Sequence, residues 1–481
     1  MARYIEKDNR EQLNLLPMCL DDMVAEDNVV RAIDTIVDNM DITGLGFTHS
    51  QTAITGRKPY NPVDLFKLYT YCYFNGIRSS RKIEKECYRN IEVMWLIKEL
   101  KPDFKTIADF RKNNKEQIKL AFSKFSLICD SLGLIGKEII AVDGSKFRAS
   151  NSRLAYHSEK KLAKKIEYYQ KTAEQYLILL ERSDMKDGST ETVAFSKEDI
   201  NRKIEWINNK VSKLLEFKKE IRESGSVCLT DKDSKMMKAN NHGFEISYNV
   251  QTAVDEKNHL VVAVDVTSEP VDKEQLYSIS SLAKKELKVE KITVIADKGY
   301  YSVKQFAKCK KDNIIPIVSK ADPANAAADK EFRKSQFKYD ELHDGYICPQ
   351  GHFLKAYNTK HYTSEETTFR RYRNIEACAN CPIKEKCSNG KTGRTIEDRP
   401  LKKYADEVDK RTLECLDLYN KRKSIVEHPF GTIKRALGFS YFLTRGTASV
   451  RAESFLHFLI YNIMRVINIL GTRQLIAKLQ G

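Results

Sequence analysis

Two short stretches limit what this chain can fold into more than any others. Ile139–Val142 in KEIIAVDGSKFRAS and Thr293–Ala296 in KITVIADKGYY are apolar runs rich in β-branched side chains, each ending on an aspartate with glycine and lysine close behind. Runs of this length, bounded by turn residues, read as strands buried on both faces. Each strand delivers a carboxylate, Asp143 or Asp297, to its exit, and Asp143 leads onto a turn at Gly144 and Ser145. A carboxylate in that position can cap the turn that follows. Two of them on rigid neighbouring strand ends could instead hold divalent metal over a phosphate.

Charge favours the second use. The chain has 481 residues, and its 82 Lys and Arg against 66 Asp and Glu leave a net charge of +16. Such a balance suits a polyanion, with nucleic acid ahead of an anionic membrane surface. A hydrophobic content of 41% is enough to bury a sizeable core, so disorder is not expected. No apolar run approaches the ~20 residues a membrane-spanning helix needs, and MARYIEKDNREQ lacks the apolar centre of a signal peptide. A cytoplasmic location without membrane contact is expected. There the eleven cysteines should be reduced thiols, most of them small core residues.

Residues 1–132 carry helical periodicity, with Val29, Val30, Ile33, Ile36 and Val37 on one face and Leu65, Leu68, Tyr69 and Cys72 following a start at Pro62. They form a helical N-terminal domain. Arg57, Lys58, Arg78, Arg81 and Lys82 lie around its helix starts, where phosphates dock in helix-turn-helix-like modules, although a plain solvated face would look similar. Residues 133–481 form the second domain, whose order of strands and helices gives an α/β layer structure. It has two insertions. In 151–235, Leu162, Ile166, Tyr169, Ala173, Tyr176 and Leu180, then Ile200, Ile204, Ile207, Val211 and Leu214, step as a heptad-patterned antiparallel helical hairpin. It could touch DNA, dimerise or brace the fold.

The second insertion, 321–400, breaks the α/β pattern and holds Cys348, Cys378, Cys381 and Cys387, with His352 as a possible substitute ligand. A Cys-x-x-Cys pair with a third nearby cysteine and a Cys-Pro turn upstream suits tetrahedral Zn²⁺, ahead of an iron–sulfur cluster or free thiols. The long helical stretch after Asp406 should kink at Pro429. Within it Glu427 sits among apolar residues and is aimed partly toward the protein, with Lys423 and Lys434 on roughly the same face if the helix carries on. Ser454–Leu470 is apolar nearly all round and should be buried packing.

Taken in order, RKPYNPVDLFKLYTYCYFNGIRSSRKIE, PDFKTIADFR, AVDGSKFRA, YNVQTAVDEKNHLVVAVDVTSEPVDKEQL, VIADKGYYS, the cysteine cluster and YNKRKSIVEHPFGTIKR resemble a DDE transposase of bacterial insertion sequences. The likeness is greatest to the IS1182 group within the broad IS4/IS5-like assemblage. It implies an RNase H-like mixed sheet in which Asp143, Asp297 and Glu427 are the three metal-binding acids. Related transposases carry a Tyr, Arg, Glu, Lys signature around the last acid. Glu427 and Lys434 keep its spacing here, but Tyr419 and Arg422 each stand one residue further out, and Asn420 and Lys423 occupy the usual positions.

The resemblance implies catalysis by Asp143, Asp297, Glu427, Lys434 and Arg422, with Mg²⁺ or Mn²⁺ as the catalytic cofactor. Three carboxylates can hold two such ions ~3.5–4 Å apart for an in-line phosphoryl transfer. Lys146, Arg148, Lys298 and Lys423, with Arg78, Arg81 and Lys82, would contact DNA through salt-dependent bonds. The expected partners are double-stranded DNA, both element ends and target, and a second copy of the chain on that DNA. Two other readings use the same residues: an RNase H-like nuclease that cuts without joining, and a non-catalytic DNA-binding protein derived from a transposase.

Overall fold

The computed structural model describes residues 19–50, 58–151, 156–185, 197–224, 226–228, 230–239, 243–320, 330–361, 368–398 and 402–480. Arg57 and the hairpin tip at 186–196 lie outside them. Six helices come first: α1 (Val29–Asp38), α2 (Pro62–Phe74), α3 (Ser80–Arg89), α4 (Ile91–Leu96), α5 (Phe104–Asn113) and α6 (Lys115–Ser131). Their starts follow local chemistry. The side chains of Asn28, Asn61 and Asp103 each accept a backbone N–H of the first turn, and Pro62 occupies the position where a missing N–H costs nothing.

Next come β1 (Ile139–Arg148), β2 (Tyr156–Ser158), α7 (Glu159–Met185), α8 (Lys197–Ser224), β3 (Ser226–Cys228), β4 (Lys235–Ala239), β5 (Gly243–Asp255), β6 (Val261–Thr267), α9 (Leu276–Leu287), β7 (Ile292–Ala296), α10 (Val303–Lys311) and β8 (Ile314–Val318). The central sheet runs β6, β5, β1, β7, β8, with β4 paired to the start of β5. β5 is antiparallel to β1 and β6, whereas β1, β7 and β8 are parallel. The hairpin α7–α8 has its own small core of Leu162, Ile166, Leu214 and Ile221, closed at its base by pairing of β2 with β3.

Four sequence expectations change. β1 does not stop at Gly144 but continues to Arg148, because the glycine leaves room for side chains from β5 and from the loop before α9. The cysteine segment, read only as a break in the α/β pattern, is a module with a sheet of its own. It contains β9 (Lys338–Asp340), β10 (Gly345–Ile347), β11 (Phe353–His361), β12 (Thr368–Arg373), α11 (Ile375–Ala379), α12 (Lys384–Cys387) and β13 (Ile396–Asp398), and its strands form one antiparallel sheet over Phe337, Tyr346, Leu354, Tyr372 and Ile396. The late helical stretch divides at Cys415 into α13 (Lys402–Glu414) and α14 (Leu416–Gly431), and a π-helical turn, Thr432–Ala436, follows.

The fourth change concerns the N-terminal helices, which do not own a separate core. The closing helices α15 (Thr447–Leu470) and α16 (Thr472–Gln480) pack on α1, α2 and α6 as well as on β6, and one hydrophobic cluster runs through all of them. α15 is buried from Val450 to Ile467 along most of its length, as its apolar composition demands.

A polar node ties these parts together. Glu453 on α15 is fully buried and accepts hydrogen bonds from the backbone N–H groups of Leu443 and Thr444 and from the Thr444 hydroxyl. Arg78, between α2 and α3, is 7% exposed, pairs with Glu453 at 3.5 Å, donates to Tyr441 O at 2.6 Å, and lies over the rings of Phe439 and Tyr441. The guanidinium that the sequence placed at a helix start thus spends its Nη1 on this buried node. Removing one partner of a buried pair strands the other, so Arg78→Met should lower unfolding stability by about 3 kcal/mol. Denaturant unfolding of the purified variant measures this.

Candidate active site at the ends of two parallel strands

The parallel register pairs Val142 of β1 with Ala296 of β7, so the next residues, Asp143 and Asp297, stand side by side where the pairing of these two central strands ends. Neighbouring strands are about 4.8 Å apart, close enough for two carboxylates to share a cation. Burial, the largest influence, pushes the Asp143 carboxyl up to about 6. The carboxylates of Asp297 and Asp272 push the same way, while the Gly144 N–H and the Arg422 guanidinium oppose them. Asp297 caps the short 3₁₀ turn Lys298–Tyr300 by accepting the Gly299 N–H.

α14 covers these strand ends. Its buried residues Ile425, Val426, Pro429 and Phe430 share one stripe with Arg422, whose guanidinium acts on Asp143 and whose Nε is buried without a hydrogen-bond partner. Lys423, one position on, is exposed. Of the two basic residues that the spacing left open, Arg422 is the one at the acids. Glu427 stands about 140° round the helix from Arg422. Its side chain is exposed, beside the buried Val426, rather than aimed partly inward.

Pro429 has no N–H to donate within α14, and the backbone relaxes into the wider π turn just beyond it. Lys434 sits in that turn and rotates away from the face it would share with Glu427 in a regular helix. Its Nζ donates to Ser145 Oγ at 2.7 Å and to Lys146 O at 2.6 Å, and lies 4.3 Å from the centre of the Phe147 ring. Burial lowers this ammonium to about 8; Lys146 adds to the effect and Asp143 opposes it. Such a group can hold a phosphate oxygen or transfer a proton near neutral pH.

The other basic residues form two groups. Lys298, next to Asp297, is exposed, and so is Arg148, which lies over the Tyr441 ring at the far end of β1. Arg81 and Lys82 are exposed at the start of α3, where the Arg81 guanidinium stacks on Phe104. Sequence reading missed a polar network at the acids, formed by Asn249, Gln251, Asp272 and Tyr300. Asn249 and Gln251 are fully buried two residues apart on one face of β5, and two amides at strand spacing were its signal.

In the small sheet, Cys348, Cys378, Cys381, Cys387 and His352 line one cavity. Burial raises the Cys387 thiol; Arg394 opposes this, while the nearby Cys378, Cys348 and Cys381 add to it. Among the described residues, no set of three or more His, Cys, Asp or Glu side chains is arranged as a metal-binding group, at the cysteines or at the acids. The four convergent thiols have the chemistry for a soft metal, and the paired aspartates that for a hard one.

Two family models match the chain: a transposase domain (DUF772) over residues 18–113, and a transposase DDE domain over residues 347–467. Together the two matches cover less than half of the chain. The second match spans the cysteine cluster, Arg422, Glu427 and Lys434, whereas Asp143 and Asp297 lie between the two. No curated protein matches. Among solved structures, the chain is similar to piggyBac transposase in a synaptic complex with hairpin DNA, at 9% identity and a TM-score of 0.27, over 93% of this chain and 76% of that one.

The raised pKa of Asp143 has a consequence for stability. The unfolded chain ionises this group near its ordinary value, while the native state holds the proton until about pH 6. Stability from this site is therefore lost as pH rises through that window. The metal-free Asp143→Asn protein should melt above wild type at about pH 7.5, and the gain should vanish near pH 4. Thermal melts of both proteins across pH, in chelator, measure the difference.

Proposed function

We propose that this protein is a DDE transposase of the insertion-sequence type, cutting DNA at the ends of its element and joining the freed ends to a target. The observation that carries the reading is the register that sets Asp143 beside Asp297, with Arg422 and Lys434 brought to the same strand end. The order β6, β5, β1, β7, β8, with only β5 antiparallel to its neighbours, supports an RNase H-like sheet. Glu427 is the third acid in this reading. It reaches the pair when α14 re-registers at the π turn directly beyond it, the kind of segment where helices change phase.

Mg²⁺ or Mn²⁺ held by the acids would activate the attacking oxygen and stabilise the leaving one. The chain's own part is positional. Arg422 and Lys434 balance the charge of a phosphate brought to the acids, while Lys146, Arg148, Lys298 and Lys423 hold the DNA on either side. The exposed Arg81 and Lys82 extend that contact to the N-terminal helices. A second copy of the chain would occupy the other DNA end.

Asp143→Asn, Asp297→Asn and Glu427→Gln should each reduce cleavage of a labelled duplex carrying the element's ends by at least ~10² while leaving binding intact. Cleavage by Glu427→Gln at the wild-type rate would assign the third position to another acid. Joined products establish a transposase, cuts alone a nuclease, and a gel shift without cutting a DNA-binding protein.

The cysteine module, in this reading, holds one structural Zn²⁺ through Cys348, Cys378, Cys381 and Cys387. A small sheet with few apolar residues gains its order from such a staple. Elemental analysis of chelator-washed protein should find about one zinc per chain. Cys381→Ser should lose the metal, and four freely titrating thiols in the native wild type would reject the site.

A further inference from the structure

Gly144 lies opposite Gln251 across the β1–β5 pair, and Lys146 lies opposite Asn249. All four share one face of the sheet, because successive residues alternate sides. The space that a Cβ on Gly144 would occupy is taken. An ideal Cβ would come 2.2 Å from Gln251 Nε2, 2.7 Å from Asp272 Oδ1 and 3.1 Å from Asn249 Oδ1. The glycine between Asp143 and Ser145 thus admits a carboxylate, from the loop between β6 and α9, to the flank of the acid-bearing strand.

That carboxylate is held firmly. Asp272 Oδ1 accepts from Asn249 Nδ2 and from Gln251 Nε2, both at 2.7 Å, and the Lys146 ammonium lies 3.3 Å from each carboxylate oxygen. Gln251 turns its other end to the second strand, where its Oε1 accepts from the Tyr300 hydroxyl at 2.5 Å. Tyr300 closes the turn capped by Asp297 and is itself buried. An unbroken polar chain therefore runs from Lys146, three residues after Asp143, to Tyr300, three residues after Asp297.

With three donors on one oxygen, Asp272 is committed to the protein and is poorly placed to be a metal ligand. We propose that Asp272 is a positioning residue of the cleavage centre: a carboxylate fixed by two buried amides that holds the Lys146 ammonium on the flank of the acid-bearing strand and, through Gln251 and Tyr300, fixes the turn carrying Asp297. This inference rests on the transposase reading above. Lys146 is the group through which the network meets DNA, and Asp272 sets where its charge stands when the phosphate arrives.

The test uses the full chain with Mg²⁺ and a labelled duplex of the element's ends at saturation, so that single-turnover cleavage is read apart from binding. Asp272→Asn keeps size and removes the charge; its cleavage rate should fall at least about tenfold, with DNA affinity unchanged or higher. A merely structural loss would weaken binding and cutting together. Lys146→Met should also slow cleavage, and the double variant should be no slower than the slower single, because one acts through the other. Tyr300→Phe removes one hydroxyl at constant shape and should slow cleavage with affinity unchanged, which keeps the test intact where Asp272→Asn fails to fold.

Wild-type cleavage rates in both Asp272→Asn and Tyr300→Phe, or independent multiplying losses in the double variant, would overturn the inference and leave the transposase reading standing. A wild-type chain that binds these ends but leaves them uncut would overturn that reading, and this one with it.

Discussion

The parallel pairing of β1 with β7 is the constraint from which the rest of the site follows. A shift of one residue would turn every side chain of a strand to the opposite face and separate Asp143 from Asp297. Burial protects the register. Ile140, Ala141 and Val142 face Val294, Ile295 and Ala296 in a fully enclosed sheet, where no polar alternative is available. Apolar packing with no chemistry of its own thus brings together two like charges that would otherwise repel. The raised pKa of Asp143 reflects burial first, with the Asp297 charge adding to it.

Elements whose period matched their environment were legible from residues alone. Ile139–Val142 and Thr293–Ala296 lie in strands of the buried sheet, and Ser454–Leu470 is buried as its composition requires. What failed did so for identifiable reasons. Gly144 reads as a turn because glycine usually marks one; only the approach of Asp272 explains a glycine inside a strand. Arg78 reads as a surface cation because nothing local reveals Glu453, far along the chain. The common face of Glu427 and Lys434 depended on a regular helix, and Pro429 with the π turn after it changes the phase.

The same limits apply to the cysteines. Their spacing prompts the expectation of a metal, but spacing carries no information about the five-stranded sheet beside them. That sheet is built from short strands whose alternation is broken by charged residues such as Arg370 and Arg371, each tied to an acid, Asp344 or Glu397. Pairwise charge satisfaction across strands replaces the apolar alternation that strand reading relies on.

The shared core of the first and last helices also sets a schedule for synthesis. α6 ends at Ser131, and α15, which covers it, begins only at Thr447. At about 5–20 residues per second, a ribosome takes roughly 15–60 s to make the stretch between them. Through that interval the apolar faces of α1, α2 and α6 have no native cover, and the Arg78 guanidinium waits for Glu453. The N-terminal helices are thus candidates for chaperone attention on the ribosome. A chain cut short before Thr447 would leave them permanently without their partner.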